Sequence, residues 1–294
     1  MKIEADGEAE AHRRGPMERP EMRLRHCPEA GSLPSDRRLT WISVDSPASV
    51  DMERWHNRVA VVTGASSGIG AELARKLIAA GVVVVALARR LERLEQLSQE
   101  LGSQLHIRQC DVTDLESVNA AFDWVEERLG GADILINNAG KLSGGQLLTM
   151  ALDTVQQVLQ TNVMGVVYCT QRAFQSMRQR SASGHVVLLN SVVGHYLFNP
   201  LPGSQQELNM YPATKHAVTA LTELFRQEMR EFKTQVKVTS ISPGLVDTEM
   251  VPEAYKCLPM LQAEDVANAI MYALATPAHV QVHELTIKPL GEPF

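Results

Sequence analysis

From Arg58 onward the chain alternates two hydrophobic rhythms. VAVVTG, ending at Gly64, is a short apolar run rich in β-branched residues, the pattern of a buried strand. Ile69 to Ala80 follows with Leu73 and Leu77 on one helical face, and Gly81 supplies a stop. VVVVALA, ending at Ala88, reads as a strand buried on both faces. Leu91, Leu94, Leu97 and Leu101 mark a second helix closed by Gly102, and LHIRQC is a third strand. Thr113, with Glu116 three residues on, predicts a capping box that opens a helix running to Leu129. DILINNAG, HVVLLNS, VKVTSISPG and HELTIKP supply four more strands, with helical patterns between them. Seven strands alternating with helices predict an α/β fold: one doubly wound, seven-stranded parallel sheet with helices on both faces.

Residues 1–51 lack this rhythm. Charges of both signs and five prolines predict a disordered leader, within which Arg13 to Arg25 reads as a solvated mixed-charge tail. The catalytic domain is then expected over residues 52–294.

Composition narrows the class. The net charge of −6 argues against a nucleic-acid partner. Cys27, Cys110, Cys169 and Cys257 stand far apart with no CxxC pair, which predicts free thiols in a reducing compartment and no metal site. The longest apolar run, Gly81 to Ala88, falls far short of the ~20 residues of a membrane span. The acidic stretch Met1 to Glu10 does not read as a secretory signal, so a cytoplasmic address is expected by elimination.

The first chemical signal is Thr63-Gly64-Ala65-Ser66-Ser67-Gly68-Ile69-Gly70, set between a strand and a helix. Its glycines permit a tight turn and let backbone N–H groups and the helix N-terminus face a pyrophosphate. Together with NNAG at Asn137 to Gly140, Ser191, Tyr211-Pro212-Ala213-Thr214-Lys215 and Pro243-Gly244, in that order, this turn resembles the short-chain dehydrogenases/reductases. The resemblance runs from about residue 52 to the C-terminus and implies a Rossmann-type domain with a nicotinamide cofactor. MERW at Met52 to Trp55, NSVVGH and TPAHVQV are similar to a subgroup containing dehydrogenase/reductase family member 11 and insect NADP-dependent farnesol dehydrogenases. Those relatives begin near MERW, which makes Met52 the expected working start.

A carboxylate about 20 residues past the glycine turn would bind a ribose 2′-hydroxyl and select NAD. Ala88 stands there instead, followed by Arg89 and Arg90, which suits the 2′-phosphate of NADP(H). Arg89 is assigned the phosphate. Arg90 is a second candidate, although it and Arg93 are expected on a solvated helix face. Asp111 can accept from an adenine amino group, with Val112 behind the ring. The resemblance implies that Asn138, Ala139 and Gly140 line the adenosine ribose. It also implies that Pro243, Gly244, Val246 and Thr248 contact the nicotinamide carboxamide.

Tyr211 and Lys215, four apart, share a helix face. A phenol titrating near ~10 is a poor base at neutral pH, and bringing it to about 7 takes roughly 4 kcal/mol. A lysine ammonium and a nicotinamide cation nearby favour the phenolate. Ser191 can hydrogen-bond the reacting oxygen, and the resemblance implies that Asn162 helps hold a water relay behind the lysine.

Val193, His195, Tyr196, Met250 and Tyr255 belong to apolar segments flanking the tyrosine and are the candidate pocket residues, with His195 as wall and not as base. The expected activity is NADP(H)-dependent interconversion of a lipophilic alcohol, farnesol-like, with its aldehyde or ketone. A ketosteroid or general carbonyl reductase is the alternative. An inactive NADPH-sensing scaffold is the remote one, disfavoured because all four catalytic positions are filled. The resemblance also implies a homodimer or homotetramer.

Overall fold

A computed structural model describes residues 52–198, 208–251 and 255–292. The expected leader lies outside the described residues, as do residues 199–207 of the stretch between Ser191 and Tyr211.

Seven strands form one sheet: β1 (Val59–Thr63), β2 (Val83–Ala88), β3 (Leu105–Gln109), β4 (Ile134–Asn137), β5 (His185–Leu189), β6 (Lys237–Pro243) and β7 (Glu284–Ile287). Their order is β3-β2-β1-β4-β5-β6-β7, and every neighbouring pair is parallel. The helices are α1 (Gly68–Ala79), α2 (Leu91–Leu101), α3 (Leu115–Leu129), α4 (Leu152–Leu159), α5 (Gly165–Gln179), α6 (Tyr211–Glu231) and α7 (Ala263–Ala275).

Side chains alternate across a strand, so each central strand feeds two cores. Ala60, Val62, Val84, Ala86, Ile134 and Ile136 pack with Leu73 and Leu77 of α1, Leu94 of α2 and Ile270 of α7. Val61, Val85, Leu87, Leu135 and Leu188 pack on the other face with Phe122 of α3, Cys169 and Met177 of α5, and Val218 of α6. This two-sided burial is why the central strands read as unbroken apolar runs.

Two local features depart from expectation. The residue that caps α3 is Asp114, whose carboxylate accepts from the backbone N–H groups of Glu116 and Ser117. Thr113 does not form the expected capping box, because its hydroxyl donates to Asp111 Oδ1 at 2.8 Å. A capping box does occur at α7, between Gln262 and Asp265. The second feature is that α4 and α5 run into each other through a π turn, Gln160–Met164, with Asn162 buried inside it. Such single-turn widenings occur mostly at functional sites.

Ahead of β1, Met52 and Trp55 are buried in the first of the two cores. The Trp55 indole donates to the Leu274 carbonyl of α7 at 2.8 Å, tying the start of the domain to its last helix. Trp55→Ala should therefore cost about 3–5 kcal/mol of stability, as large core truncations do. Urea unfolding would measure it, and a loss below about 1 kcal/mol would show that this contact carries little.

Candidate active site

The strand order turns around at β1: the chain moves outward to β2 and β3, then returns to place β4 on the opposite side. The carboxyl ends of the strands at such a reversal are the usual ligand site of these sheets. A cleft of about 470 Å³ lies there. Its floor is tightly built. Thr63 Oγ1 accepts from the backbone N–H groups of Asn138 and Ala139, both at 3.0 Å. The Asn138 amide donates back to the carbonyls of Thr63 and Gly64 at 2.9 and 3.1 Å.

These contacts explain the glycines. At Gly64, φ is +65°, and a Cβ would stand 2.8 Å from Ala139 Cα. At Gly70 a Cβ would stand 2.5 Å from the Asn138 amide nitrogen, so Gly70 serves the seam behind the cleft and does not line it. Gly64, Ser66, Ser67, Gly68 and Ile69 do line it. Ser67 caps α1 in extended conformation, and its side chain makes no hydrogen bond to the amides of the first turn. The first amides of α1 are thereby left to face the cleft, a cradle suited to a phosphate group. Asn138, Ala139 and Gly140 also line the cleft, but the Asn138 side chain is committed to the seam.

At the β2 end, Arg89 and Arg90 both line the cleft, together with Asp111 and Val112. Arg90 and Arg93 are partly exposed, as expected, but both side chains have protein partners. Arg90 folds over the glycine turn, donating from Nη2 to Ser66 Oγ at 2.9 Å and to Ser67 Oγ at 2.8 Å. Arg90 and Arg93 also pair with Glu249 from the other side of the cleft, at 3.0 and 2.6 Å. Asp111 Oδ1 accepts from both the N–H and the hydroxyl of Thr113.

The reactive side chains come from β5 and α6. Ser191 stands two residues past the end of β5, and Tyr211 opens α6 with Pro212 in the first turn, where the missing N–H costs nothing. Lys215, one turn on, is buried and donates from Nζ to the Leu189 carbonyl at 2.6 Å, with its nitrogen 5.5 Å from the Tyr211 ring centre. Ser191, Tyr211 and Lys215 all line the cleft. Asn162 sits behind its wall: Oδ1 accepts from Lys141 N at 2.7 Å, and Nδ2 donates to Lys141 O and Thr214 Oγ1. Its side chain thus ties the π turn to the end of β4 and to α6.

Burial dominates the electrostatics. It pushes the Tyr211 phenol up to about 12, a hydrogen bond with Ser191 working the other way. It pulls the Lys215 ammonium down to about 8. The protein's own groups therefore do not supply the lowered phenol expected from the sequence, and reaching pH 7 from about 12 takes roughly 7 kcal/mol.

Pro243, Gly244, Val246 and Thr248 line the far end of the cleft. Sequence reasoning missed Glu292, a buried carboxylate in the same wall that accepts from Leu245 N at 3.1 Å. No motif marks it, because only the fold brings the C-terminal segment back to β6. Val193, Met250 and Tyr255 line the cleft, whereas His195 and Tyr196 do not. His195 turns to the sheet edge, with Nε2 at 2.9 Å from Ser242 Oγ and 2.7 Å from Glu284 Oε1. The half-exposed Tyr196 hydroxyl meets Lys288. An apolar wall forms instead from Val192, Val193 and Leu208, with Leu142 and Phe198 packed on it beside Tyr211. Among the described residues Cys110 and Cys169 are buried free thiols, and no His, Cys, Asp or Glu cluster could hold a metal.

A desolvated ammonium lowers stability. Folded Lys215 titrates near 8 and an unfolded lysine near 10.5, so the unfolded chain binds more protons between those values. The penalty is complete below pH 8 and is relieved as pH rises toward 10.5. Lys215→Met should stabilise the fold by about 1–3 kcal/mol at pH 7, part of the gain being lost to the unpaired Leu189 carbonyl. That advantage should shrink between pH 8 and pH 10, as denaturant midpoints at several pH values would show. A variant less stable than the parent at pH 7 would contradict this assignment.

The short chain dehydrogenase family profile matches residues 58–257. The chain is 52% identical over 250 residues to farnesol dehydrogenase of Aedes aegypti, covering 83% of this chain and all of that protein. It is 40% identical to human dehydrogenase/reductase SDR family member 11, covering 81% of this chain and 96% of that protein. Among solved structures, the closed form of serine dehydrogenase complexed with NADP+ superposes with a TM-score of 0.73 at 30% identity, over 80% of this chain and 96% of the other. With the parallel sheet, the glycine cradle and the Ser191–Tyr211–Lys215 cleft on one scaffold, these likenesses show that the chain belongs to the short-chain dehydrogenase family.

Proposed function

We propose that this oxidoreductase uses NADP(H) to interconvert a lipophilic, farnesol-like alcohol and its carbonyl, with Tyr211 moving the proton. The observation that carries the reading is the convergence of Ser191, Tyr211 and Lys215 beside an apolar wall in the cleft that holds the glycine cradle. A dinucleotide fits the cleft, since Gly64 and Gly68 line it at the first turn of α1 with no side chain over the backbone N–H groups there. Ala88 at the end of β2, with Arg89 and Arg90 after it, supports the phosphorylated cofactor, as does the NADP+ in the serine dehydrogenase relative. Arg89 remains the first candidate for the 2′-phosphate, and Arg90 stands beside it on the glycine turn.

When bound, NADP(H) supplies the nicotinamide that accepts or donates hydride and, in its oxidised form, a positive charge. Tyr211 takes the hydroxyl proton of the alcohol on oxidation and returns it on reduction. Ser191 hydrogen-bonds the reacting oxygen. Lys215, near 8, keeps its proton at neutral pH and adds positive charge beside the phenol. Asn162 positions the wall behind the lysine through Lys141 and Thr214. The apolar wall holds the hydrocarbon part of the substrate and keeps water from the reacting carbon. Among the described residues no helix is long and apolar enough to cross a membrane. Exposed Leu224 on α6 and Tyr272 on α7 support pairing of protomers into a dimer or tetramer.

The reading is tested with farnesol and NADP+, against a panel of keto-steroids and simple carbonyls with NADPH. Turnover of farnesol supports it, and turnover of ketosteroids alone would move the enzyme to the carbonyl-reductase class. Tyr211→Phe should bind NADPH within about threefold of the parent and lose about 10²–10⁴-fold in kcat. Near-parental kcat in that variant would remove Tyr211 from the chemistry.

Cofactor choice has its own test. Ala88→Asp with Arg89→Ile should reverse the preference in kcat/KM from NADPH to NADH. Loss of a charge-assisted contact weakens NADPH by roughly tenfold to a hundredfold, and the new carboxylate repels the phosphate. If the double variant keeps its NADPH preference, the phosphate belongs to Arg90 and not to Arg89.

A further inference from the structure

One carboxylate reaches across the mouth of the nucleotide end of the cleft. Glu249 follows Thr248, in the segment after β6, yet its two oxygens hold residues of the β2–α2 turn. Oε2 pairs with Arg90 Nη1 at 3.0 Å and Oε1 with Arg93 Nη1 at 2.6 Å. The segment lies directly over the glycine turn, since a Cβ at Gly68 would stand 3.2 Å from the Thr248 methyl group. Arg90 is held in place from beneath by the Ser66 and Ser67 hydroxyls, so its guanidinium is aimed before any ligand arrives. Hydrogen bonds from Arg93 and Arg90 keep the Glu249 carboxyl below the ordinary carboxylate range, so it is an anion at neutral pH.

We propose that Glu249 is an internal stand-in for the ribose 2′-phosphate: it occupies the Arg90 and Arg93 guanidiniums until an adenosine 2′-phosphate displaces it. The proposal rests on the NADP(H) reading above and adds a specificity-determining residue to it. Three features support the exchange. The carboxylate offers the same oxygen-to-guanidinium pairing that a phosphate would, but with one charge where a phosphate has nearly two. The pairs are exposed, Glu249 at 59% and Arg90 at 41%, and such pairs are weak enough to give way. Arg89, on the same turn, makes no side-chain hydrogen bond or ion pair among the described residues and is available to the incoming phosphate. A nucleotide without the 2′-phosphate offers nothing to displace Glu249, so the clasp stays shut over NADH and opens for NADPH. Met250 and Val251 follow Glu249 directly and line the cleft, so the state of the clasp is passed to the substrate end.

Isothermal titration of adenosine 2′,5′-bisphosphate and of AMP into the parent, Glu249→Gln and Glu95→Gln decides it. Glu95 is an exposed carboxylate on α2 and supplies the same change in net charge without touching the clasp. Glu249→Gln should tighten the bisphosphate by roughly three- to tenfold and leave AMP within about twofold. Glu95→Gln should change neither. An unchanged or weaker bisphosphate affinity in Glu249→Gln overturns the proposal, as does equal tightening of both ligands or equal tightening in the Glu95 variant. If the parent binds bisphosphate and AMP equally, the NADP(H) preference itself fails and the clasp falls with it. If the parent discriminates and Glu249→Gln does not tighten, only the clasp fails.

Discussion

Thr63 and Asn138 close the seam between β1 and β4, and the whole cleft hangs from that seam. Thr63 Oγ1 receives two backbone N–H groups from the end of β4, and the Asn138 amide returns two bonds to the end of β1. The bonds bring two loops so close that side chains cannot fit at Gly64 or Gly70. Where side chains are excluded, backbone N–H groups and a helix N-terminus are what remains to face a ligand. The same few contacts that hold the middle of the sheet together thus create the phosphate cradle.

The reactive end obeys a different constraint. Ser191, Tyr211 and Lys215 sit in a wall built from apolar neighbours, and desolvation drives the phenol toward about 12 and the ammonium toward about 8. Both shifts oppose charge separation, so a lone phenolate there is disfavoured. Under the proposed function, the positive charge of an oxidised cofactor would offset that penalty beside the phenol. Stability is the cost of that arrangement, since a protonated, buried lysine weakens the fold at neutral pH. The nucleotide end is different again. It is exposed and rich in arginine, and water screens its ion pairs.

Much of this was legible in the chain itself. A strand buried on both faces has no polar side, so β1, β2 and β5 show as continuous apolar runs, and helices such as α2 keep their leucines at helical spacing. The glycine turn and the four-residue step from Tyr211 to Lys215 are local patterns, whose geometry follows from neighbouring residues alone. Caps were less legible: Thr113 and Asp114 are both competent, and the carboxylate of Asp111 decided between them by taking the threonine hydroxyl. The direction of His195 was hidden too, because its partners Ser242 and Glu284 are 47 and 89 positions away.

Sequence by itself determined the order of strands and helices, the parallel sheet, the glycine cradle and the identity of the tyrosine, lysine and serine. Most depend on short-range periodicity or on a motif spanning a few positions, and Ser191 was read from the order of motifs along the chain. Tertiary structure alone decided which distant polar groups meet. Glu249 on Arg90 and Arg93, Glu292 against Leu245, and Asn162 on Lys141 all join residues far apart in the chain. It also decided how the reactive groups titrate, since burial is a property of everything packed around a side chain. A local pattern names a residue, but its solvent and its partners come from the folded chain.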